Sequence, residues 1–333
     1  MNKNEKKSDQ IGSLHSITPD NTEQTYSHYQ NLATSSNTLR AYRAAIHQFE
    51  AAGGLLPTDG AAIAKYITQK AAELNPRTLS LHLTALSHWH REHNLPDPTQ
   101  ALSIRKLLQG VKREHGRPKQ KAKALRPEHL HTLIAHLKSD ENKLRAARDS
   151  ALLQVAYFGA FRRSELVAIQ VDHLKFEPEG LLILIPKSKT DQMGTGKVKA
   201  LPYGKTESLL CPIRAVKSWL EISKITEGFL FRAINRWGQM QNQALTPDSI
   251  NLLMKSLGKK CQFDFIDILS SHSARRGFAT SAARAGATFE SIKRQGGWNN
   301  DSTVREYIEA GQIFDDNAAK QLIEFAFNKQ AEE

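Results

Sequence analysis

Two short stretches in the C-terminal half of the sequence decide the fold: FRRSEL at residues 161–166 and SSHSAR at residues 270–275. The first follows an apolar run, Ala151 to Phe158, which predicts a buried helix. The second opens with paired serines, which are typical of the start of a helix. On that helix, the three-residue spacing of His272 and Arg275 places both side chains on one face, within reach of a single phosphate.

A further motif lies closer to the C-terminus: GGW at residues 296–298 precedes Tyr307, whose apolar neighbours Val304 and Ile308 predict a helix. Cleavage of a phosphodiester by a protein nucleophile needs cations around the non-bridging oxygens, a nucleophile in line, and a proton donor for the leaving oxygen. A tyrosine hydroxyl ionises with a pKa of about 10, so it needs the field of those cations. Dispersed Arg, Lys and His residues with one tyrosine fit this chemistry, and no metal cluster is required.

These motifs stand together in a known order. Arg162 within FRRSEL, the HSAR box, GGW and the following Tyr307 resemble the tyrosine recombinase (phage integrase) family, and most of all its Cre-like members. The similarity covers nearly the whole chain after an N-terminal arm. It implies a mainly α fold with a small β-sheet. It also implies a two-domain clamp: an N-terminal helical, SAM-like core-binding domain and a C-terminal mixed α/β catalytic domain.

The resemblance implies roles for the residues that would bind the scissile phosphate. Arg162 and Arg275 match the two arginines of the family, whose planar guanidinium groups donate paired hydrogen bonds to phosphate oxygens. His272 matches the histidine that shares this contact. Trp298 would donate its indole N–H to a phosphate oxygen, and it is also expected to anchor the core.

The resemblance also assigns the groups that make and break bonds. Tyr307 matches the nucleophile that forms a 3′-phosphotyrosyl link. Lys189 matches the lysine that protonates the 5′ oxygen. Glu165 matches a carboxylate that holds the arginine or the histidine in place.

Arg162 has a competitor in its neighbour Arg163. Adjacent helical residues point about 100° apart, so we expect only one of the two side chains to serve the phosphate. The position of the following Ser164, Glu165 and Leu166 relative to the family's motif favours Arg162.

Lys189 has a competitor in Lys187. The apolar run Leu181 to Ile185 and the segment Val198 to Leu201 predict the two strands of a hairpin with a long polar tip. Both lysines lie near that tip, and the register of the second strand favours Lys189.

The composition divides the chain into four segments. Residues 1–35 are polar and without apolar periodicity, which predicts a disordered arm. Residues 36–115 carry short amphipathic helices and form the expected core-binding domain, with Thr58 as one helix N-cap. Residues 116–126 are basic and contain Gly and Pro, which predicts an extended linker. Residues 127–333 form the expected catalytic domain.

The charge balance favours a polyanionic partner. The 333 residues include 46 Lys and Arg against 34 Asp and Glu, a net charge of +12, which is typical of proteins that associate with nucleic acid. Several side chains avoid the apolar helix faces or lie in the linker. We expect the following ones to contact double-stranded DNA: Arg40, Arg43, Arg77, Thr78, His82, Arg117, Lys119 and Lys121. Binding should then weaken steeply with salt.

Other classes of protein are not favoured. Cys211 and Cys261 are far apart, which argues against a disulfide framework or a zinc ribbon. No apolar run is long enough for a membrane span, and residues 1–10 do not resemble a secretory signal. We expect a cytoplasmic protein with no metal and no cofactor.

The resemblance implies a site-specific recombinase that acts through a 3′-phosphotyrosyl intermediate and a Holliday junction. Its partners would be double-stranded DNA with specific recombination sites and three further copies of the chain. In that homotetramer, the C-terminal segment from Phe314 to Asn328 would be exchanged between protomers; packing within its own chain is the alternative. A strand-passing relaxation enzyme and a non-catalytic DNA-binding regulator on the same scaffold are the competing functions.

Overall fold

The computed structural model describes residues 34–118, 121–186, 196–313 and 317–330, together with Tyr29. These residues are mainly helical and include one three-stranded and one two-stranded antiparallel sheet, so the predicted fold class is confirmed. The chain folds into two compact units, with the division between residues 119 and 120. None of the described helices is long and apolar enough to cross a membrane.

The first unit is helical, and its α-helices are α1 (Ser36–Ala51), α2 (Gly60–Lys70), α3 (Pro76–Glu92) and α4 (Leu102–His115). They share a core in which Phe49, Ile63 and Leu86 are almost completely buried. The apolar spacing of the sequence predicts these helices because one face of each must be buried.

One predicted helix start is wrong. The N-cap of α2 is Asp59, whose side chain accepts the N–H of Ala62 at 2.8 Å, and not Thr58. Both Asp and Thr are preferred N-caps, and Asp ranks above Thr. Sequence alone places a helix start only to within one or two residues, which covers the difference between Thr58 and Asp59.

The second unit carries the remaining described elements. Its helices are α5 (Pro127–Lys138), α6 (Lys143–Phe158), α7 (Arg163–Val167), α8 (Pro212–Ser223), α9 (Pro247–Lys260), α10 (Ser271–Arg284), α11 (Phe289–Gly296), α12 (Asp301–Gln312) and α13 (Ala318–Gln330). Its strands are β1 (Leu174–Phe176), β2 (Gly180–Ile185), β3 (Lys197–Pro202), β4 (Arg232–Ile234) and β5 (Met240–Ala244). Helix α6 is buried along most of its length and forms the centre of the core.

The three-stranded sheet has the order β1-β2-β3. Strands β2 and β3 pair antiparallel, with Leu181 opposite Leu201 and Ile185 opposite Lys197, which confirms the predicted hairpin. Its tip, residues 187–195, lies outside the described residues. Strand β1 has only three residues, which is too short for an alternating sequence pattern to predict it.

The C-terminal half of the predicted linker packs on the second unit. Residues 121–126 form no regular secondary structure. Leu125 is completely buried, and its N–H donates to the Ser273 carbonyl of α10 at 2.9 Å. A Cβ on Gly277 would lie only 1.9 Å from the Leu125 carbonyl oxygen. Glycine at this position therefore allows the two backbones to approach closely.

Candidate active site

Arg162 lies at the N-terminus of α7, and Glu165 holds it there. The Arg162 guanidinium donates to Glu165 Oε1 at 2.6 Å, and its backbone N–H donates to Glu165 Oε2 at 3.0 Å. The second guanidinium nitrogen, Nη2, donates to the Gly297 carbonyl at 3.3 Å. Because the Glu165 side chain is only 4% exposed, this ion pair is shielded from water and fixes the direction of Arg162.

Arg163 points elsewhere. Its Nη1 pairs with the Asp248 carboxylate at 2.6 Å, and both side chains are substantially exposed. The structure therefore brings Arg162, and not Arg163, to the GGW motif.

Arg275 lies in α10, which begins as the sequence predicts: the Ser270 N–H donates to Ser273 Oγ at 3.1 Å. The Arg275 side chain is buried, and its Nη1 donates to the Ala160 carbonyl. Its Nη2 is buried and has no hydrogen-bond partner among the described residues. A buried N–H without an acceptor is costly, so this group is suited to receive an anion.

The charge of Arg275 is affected by its surroundings. Burial, followed by the positive charge of Arg162, lowers the pKa of Arg275 to about 10, while Glu165 acts in the opposite direction. Arg275 therefore remains charged at neutral pH. We call Arg162 and Arg275 the arginine pair.

Trp298 connects the arginine pair to Tyr307. Its ring centroid lies 4.2 Å from the guanidinium carbon of Arg275 and 5.8 Å from the centroid of the Tyr307 ring, which it meets edge to face. The Arg276 guanidinium lies 5.7 Å from the Tyr307 ring centroid. Trp298 is only 8% exposed and packs in a small core formed by α10, α11 and α12. The indole therefore anchors the core and forms one wall of the site.

The two remaining predicted site residues are His272 and Lys189. His272 is exposed on α10, one turn before Arg275. Lys189 and its competitor Lys187 lie outside the described residues.

A cavity of about 430 Å³ opens beside these residues. Its lining includes Arg162, Glu165, Lys199 and Trp298. With Arg275, this group carries three cationic side chains and one carboxylate. The excess of positive charge fits an anionic ligand.

The side chains expected to bind DNA occupy several environments. Arg40, Arg43, Arg77 and Arg117 are exposed, and Thr78 is half-buried. Lys121 forms an ion pair with Glu306, beside Tyr307, at 2.8 Å, and Lys119 lies outside the described residues.

The prediction for His82 is wrong. Its ring is 3% exposed, and Nδ1 lies 2.7 Å from the Tyr66 hydroxyl in the core of the first unit. Burial lowers the pKa of His82, which is consistent with a neutral core histidine. A polar residue next to an apolar stripe can turn inward if it finds a hydrogen-bond partner there.

One residue of the site was missed by sequence reasoning. Lys199 is 6% exposed, lines the cavity and lies close to the arginine pair. The available signal was its position in the strand, because Lys199 and Leu201 both occupy inward-facing positions of β3.

Known proteins share these features. A model of the phage integrase family matches residues 123–312. The integrase/recombinase xerD homolog of Selenomonas ruminantium is 36% identical over 273 residues, which cover 80% of this chain and 78% of that protein. Recombinase cre of Escherichia phage P1 is 27% identical over 255 residues, which cover 72% of each protein.

The fold is also found among solved structures. The Tn1549 transposon integrase in complex with transposon right end DNA aligns with a TM-score of 0.61 at 15% identity, covering 86% of this chain and 92% of that one. The family model and the two relatives define a tyrosine recombinase, a DNA strand breaking and rejoining enzyme. The chain belongs to the phage integrase family.

Proposed function

We propose that this protein recombines double-stranded DNA at specific sites by forming a 3′-phosphotyrosyl bond through Tyr307. One observation carries the proposal: within a single chain, the Trp298 ring contacts both Arg275 and Tyr307, while Arg162 reaches the adjacent Gly297 carbonyl. A phosphate bound by the arginine pair would therefore share one cluster with the phenol. Arg275 Nη2, which has no hydrogen-bond partner among the described residues, supplies a donor for it.

In the proposed reaction, Tyr307 Oη attacks the phosphorus and the bond from phosphorus to the 5′ oxygen breaks. The phenol proton passes to His272, and Lys189 gives a proton to the departing 5′ oxygen. Arg162 and Arg275 stabilise the negative charge that develops on the non-bridging oxygens. The phosphotyrosyl ester keeps the energy of the broken bond, so rejoining needs no nucleotide and no metal.

Strand exchange follows when the free 5′ hydroxyl of a partner duplex attacks the phosphotyrosyl ester, which produces a Holliday junction. We propose that four copies of the chain assemble on DNA and that α13 binds the neighbouring protomer. Leu322 and Ile323 of α13 are 67% and 55% exposed, which supports a role in contacts between protomers. Deleting the residues after Gly311 should leave DNA binding intact and abolish recombination. The DNA substrate makes the cytoplasm the expected location.

The cleavage step can be tested even though the target sequence is unknown. Duplexes are first selected for binding from a random-sequence pool, and the enriched sequence is then made with one nick near its centre; we call it the selected nicked duplex. Wild type should form a denaturant-resistant adduct with it, and Tyr307→Phe, which keeps the ring but lacks the nucleophile, should bind it without forming one.

The alternatives predict other results. Binding without an adduct in wild type would contradict the proposal and favour a DNA-binding regulator. An adduct that leads to relaxed plasmid but never to recombinant product would favour a strand-passing enzyme. A footprint on the selected sequence would define the site.

A further inference from the structure

Lys199 is a buried lysine that the proposed reaction does not use. It lies in β3 and is 6% exposed. A buried ammonium group is unfavourable unless it is paired or fully hydrogen-bonded. The contacts of Lys199 therefore indicate why the charge is kept inside the protein.

Those contacts converge on one short turn. Lys199 Nζ donates to the Gly159 carbonyl at 2.5 Å and to the Ala160 carbonyl at 3.3 Å. It also lies 4.6 Å from the centroid of the Phe161 ring. Arg275 Nη1 donates to the same Ala160 oxygen. Two cations from β3 and α10 thus hold the segment that immediately precedes Arg162.

The turn itself needs this support. Ala160 has φ 45°, in the left-handed region that residues with a Cβ disfavour. Such a conformation persists only where the surroundings fix it. Without Lys199, the Gly159 carbonyl would lose this donor, and Arg275 would be the one side-chain donor that the described residues still offer the Ala160 carbonyl. The turn could then relax, and both arginines would move with it.

We propose that Lys199 is a positioning residue: it fixes the Gly159-Ala160 turn so that Arg162 and Arg275 are directed at the same scissile phosphate. This inference rests on the proposed function and deepens it. In this role Lys199 acts through the turn rather than by binding DNA itself.

The charges around Lys199 provide an independent readout. Among the residues that the structure describes, the cations Arg162, Arg275 and Lys197 and the carboxylate of Glu165 act on it. Burial, followed by Arg275, lowers the pKa of Lys199 to about 7, whereas Glu165 acts in the opposite direction. A bound phosphate adds negative charge and should raise this pKa. The protein should therefore take up about half a proton through Lys199 when it binds DNA at pH 7.

Three substitutions test the proposal. Lys199→Met removes the charge at similar length, and Lys199→Arg keeps a charge that does not titrate near neutral pH. Lys205→Met removes an exposed lysine in the loop after β3 and serves as the matched control. Each variant is measured for the rate of adduct formation on the selected nicked duplex and for DNA affinity. Proton uptake on binding is measured by calorimetry at pH 7 in two buffers of different ionisation enthalpy.

We expect Lys199→Met to form the adduct about 100-fold more slowly, the effect of a displacement of about 1 Å in a reacting group. Its DNA affinity should stay within about threefold of wild type, because the loss lies in the chemical step. Lys199→Arg should be at least about tenfold faster than Lys199→Met and should lack the proton uptake of wild type. Lys205→Met should match wild type in all three measurements.

Adduct formation by wild type and by Lys199→Met separates the role of Lys199 from the proposed function. An adduct in wild type together with an equally fast Lys199→Met variant would overturn the role of Lys199 alone, whereas no adduct in wild type would overturn the function. If Lys199→Met does not fold, Lys199→Arg decides: proton uptake equal to that of wild type would overturn the inference.

Discussion

Replacing Trp298 by alanine should disconnect Arg275 from Tyr307. Truncating a buried tryptophan costs about 3–5 kcal/mol of unfolding free energy. The contact with the Arg275 guanidinium at 4.2 Å accounts for about 2 kcal/mol, because Arg275 is buried and desolvated. The edge-to-face contact with Tyr307 accounts for about 1 kcal/mol. We therefore expect Trp298→Ala to lower the free energy of unfolding by about 4 kcal/mol.

Trp298→Phe is the matched control, since it keeps an aromatic face for Arg275 but loses the indole N–H. It should lower the free energy of unfolding by about 1–2 kcal/mol. Adduct formation on the selected nicked duplex should slow about 100-fold in Trp298→Ala, where Arg275 and the nucleophile Tyr307 both lose their support. In Trp298→Phe it should slow about tenfold, the effect of one lost hydrogen bond.

Urea unfolding followed by circular dichroism gives the first quantity, and single-turnover adduct formation gives the second. A Trp298→Ala protein that unfolds at the same urea concentration as wild type and cleaves at the same rate would refute the reasoning. The contacts of the indole would then contribute nothing to holding Arg275 and Tyr307.

Three other outcomes are expected. Arg163→Ala should change the free energy of unfolding by no more than about 0.5 kcal/mol, because its ion pair is exposed, and should leave the adduct rate unchanged; Arg162→Ala should slow it at least about 100-fold. Arg117→Ala should reduce the slope of log Kd against log salt by about 1 if Arg117 contacts a phosphate. Between pH 7 and 9, Lys199 keeps its proton in the unfolded chain and loses it in the folded protein. Lys199 therefore makes the free energy of unfolding rise with pH. Urea titrations at several pH values should show a smaller rise for Lys199→Met than for wild type.

Much of the architecture could be predicted because local signals and the burial pattern agree. The helices of both units have apolar faces with a 3.6-residue period, and the hairpin of β2 and β3 is marked by the apolar run Leu181 to Ile185 and the segment Val198 to Leu201 on either side of a polar tip. The choice of Arg162 over Arg163 followed from register, and the structure places only Arg162 beside Gly297. The helices and the hairpin follow from neighbouring residues alone, whereas the choice of Arg162 also used the resemblance to the family.

The rest depends on which segments meet in three dimensions. His82 turns inward because Tyr66, from another helix, offers it a hydroxyl group. Lys199 is buried because the Gly159 and Ala160 carbonyls, about 40 residues earlier in the chain, accept its protons. No local pattern encodes such pairings, so periodicity could mark Lys199 as inward-facing but could not name its partners.

The segment from Lys121 to Leu125 has a consequence for exchanging modules between recombinases. Leu125 is hydrogen-bonded to the helix that carries Arg275, and Lys121 is paired with Glu306, the residue before Tyr307. These residues therefore belong to the second unit, although composition predicts a linker there. A hybrid enzyme that receives a foreign helical unit should join the two parent sequences at residues 116–118. A junction after Arg126 would place a foreign backbone segment against Gly277. It would thereby disturb the active site of the hybrid enzyme.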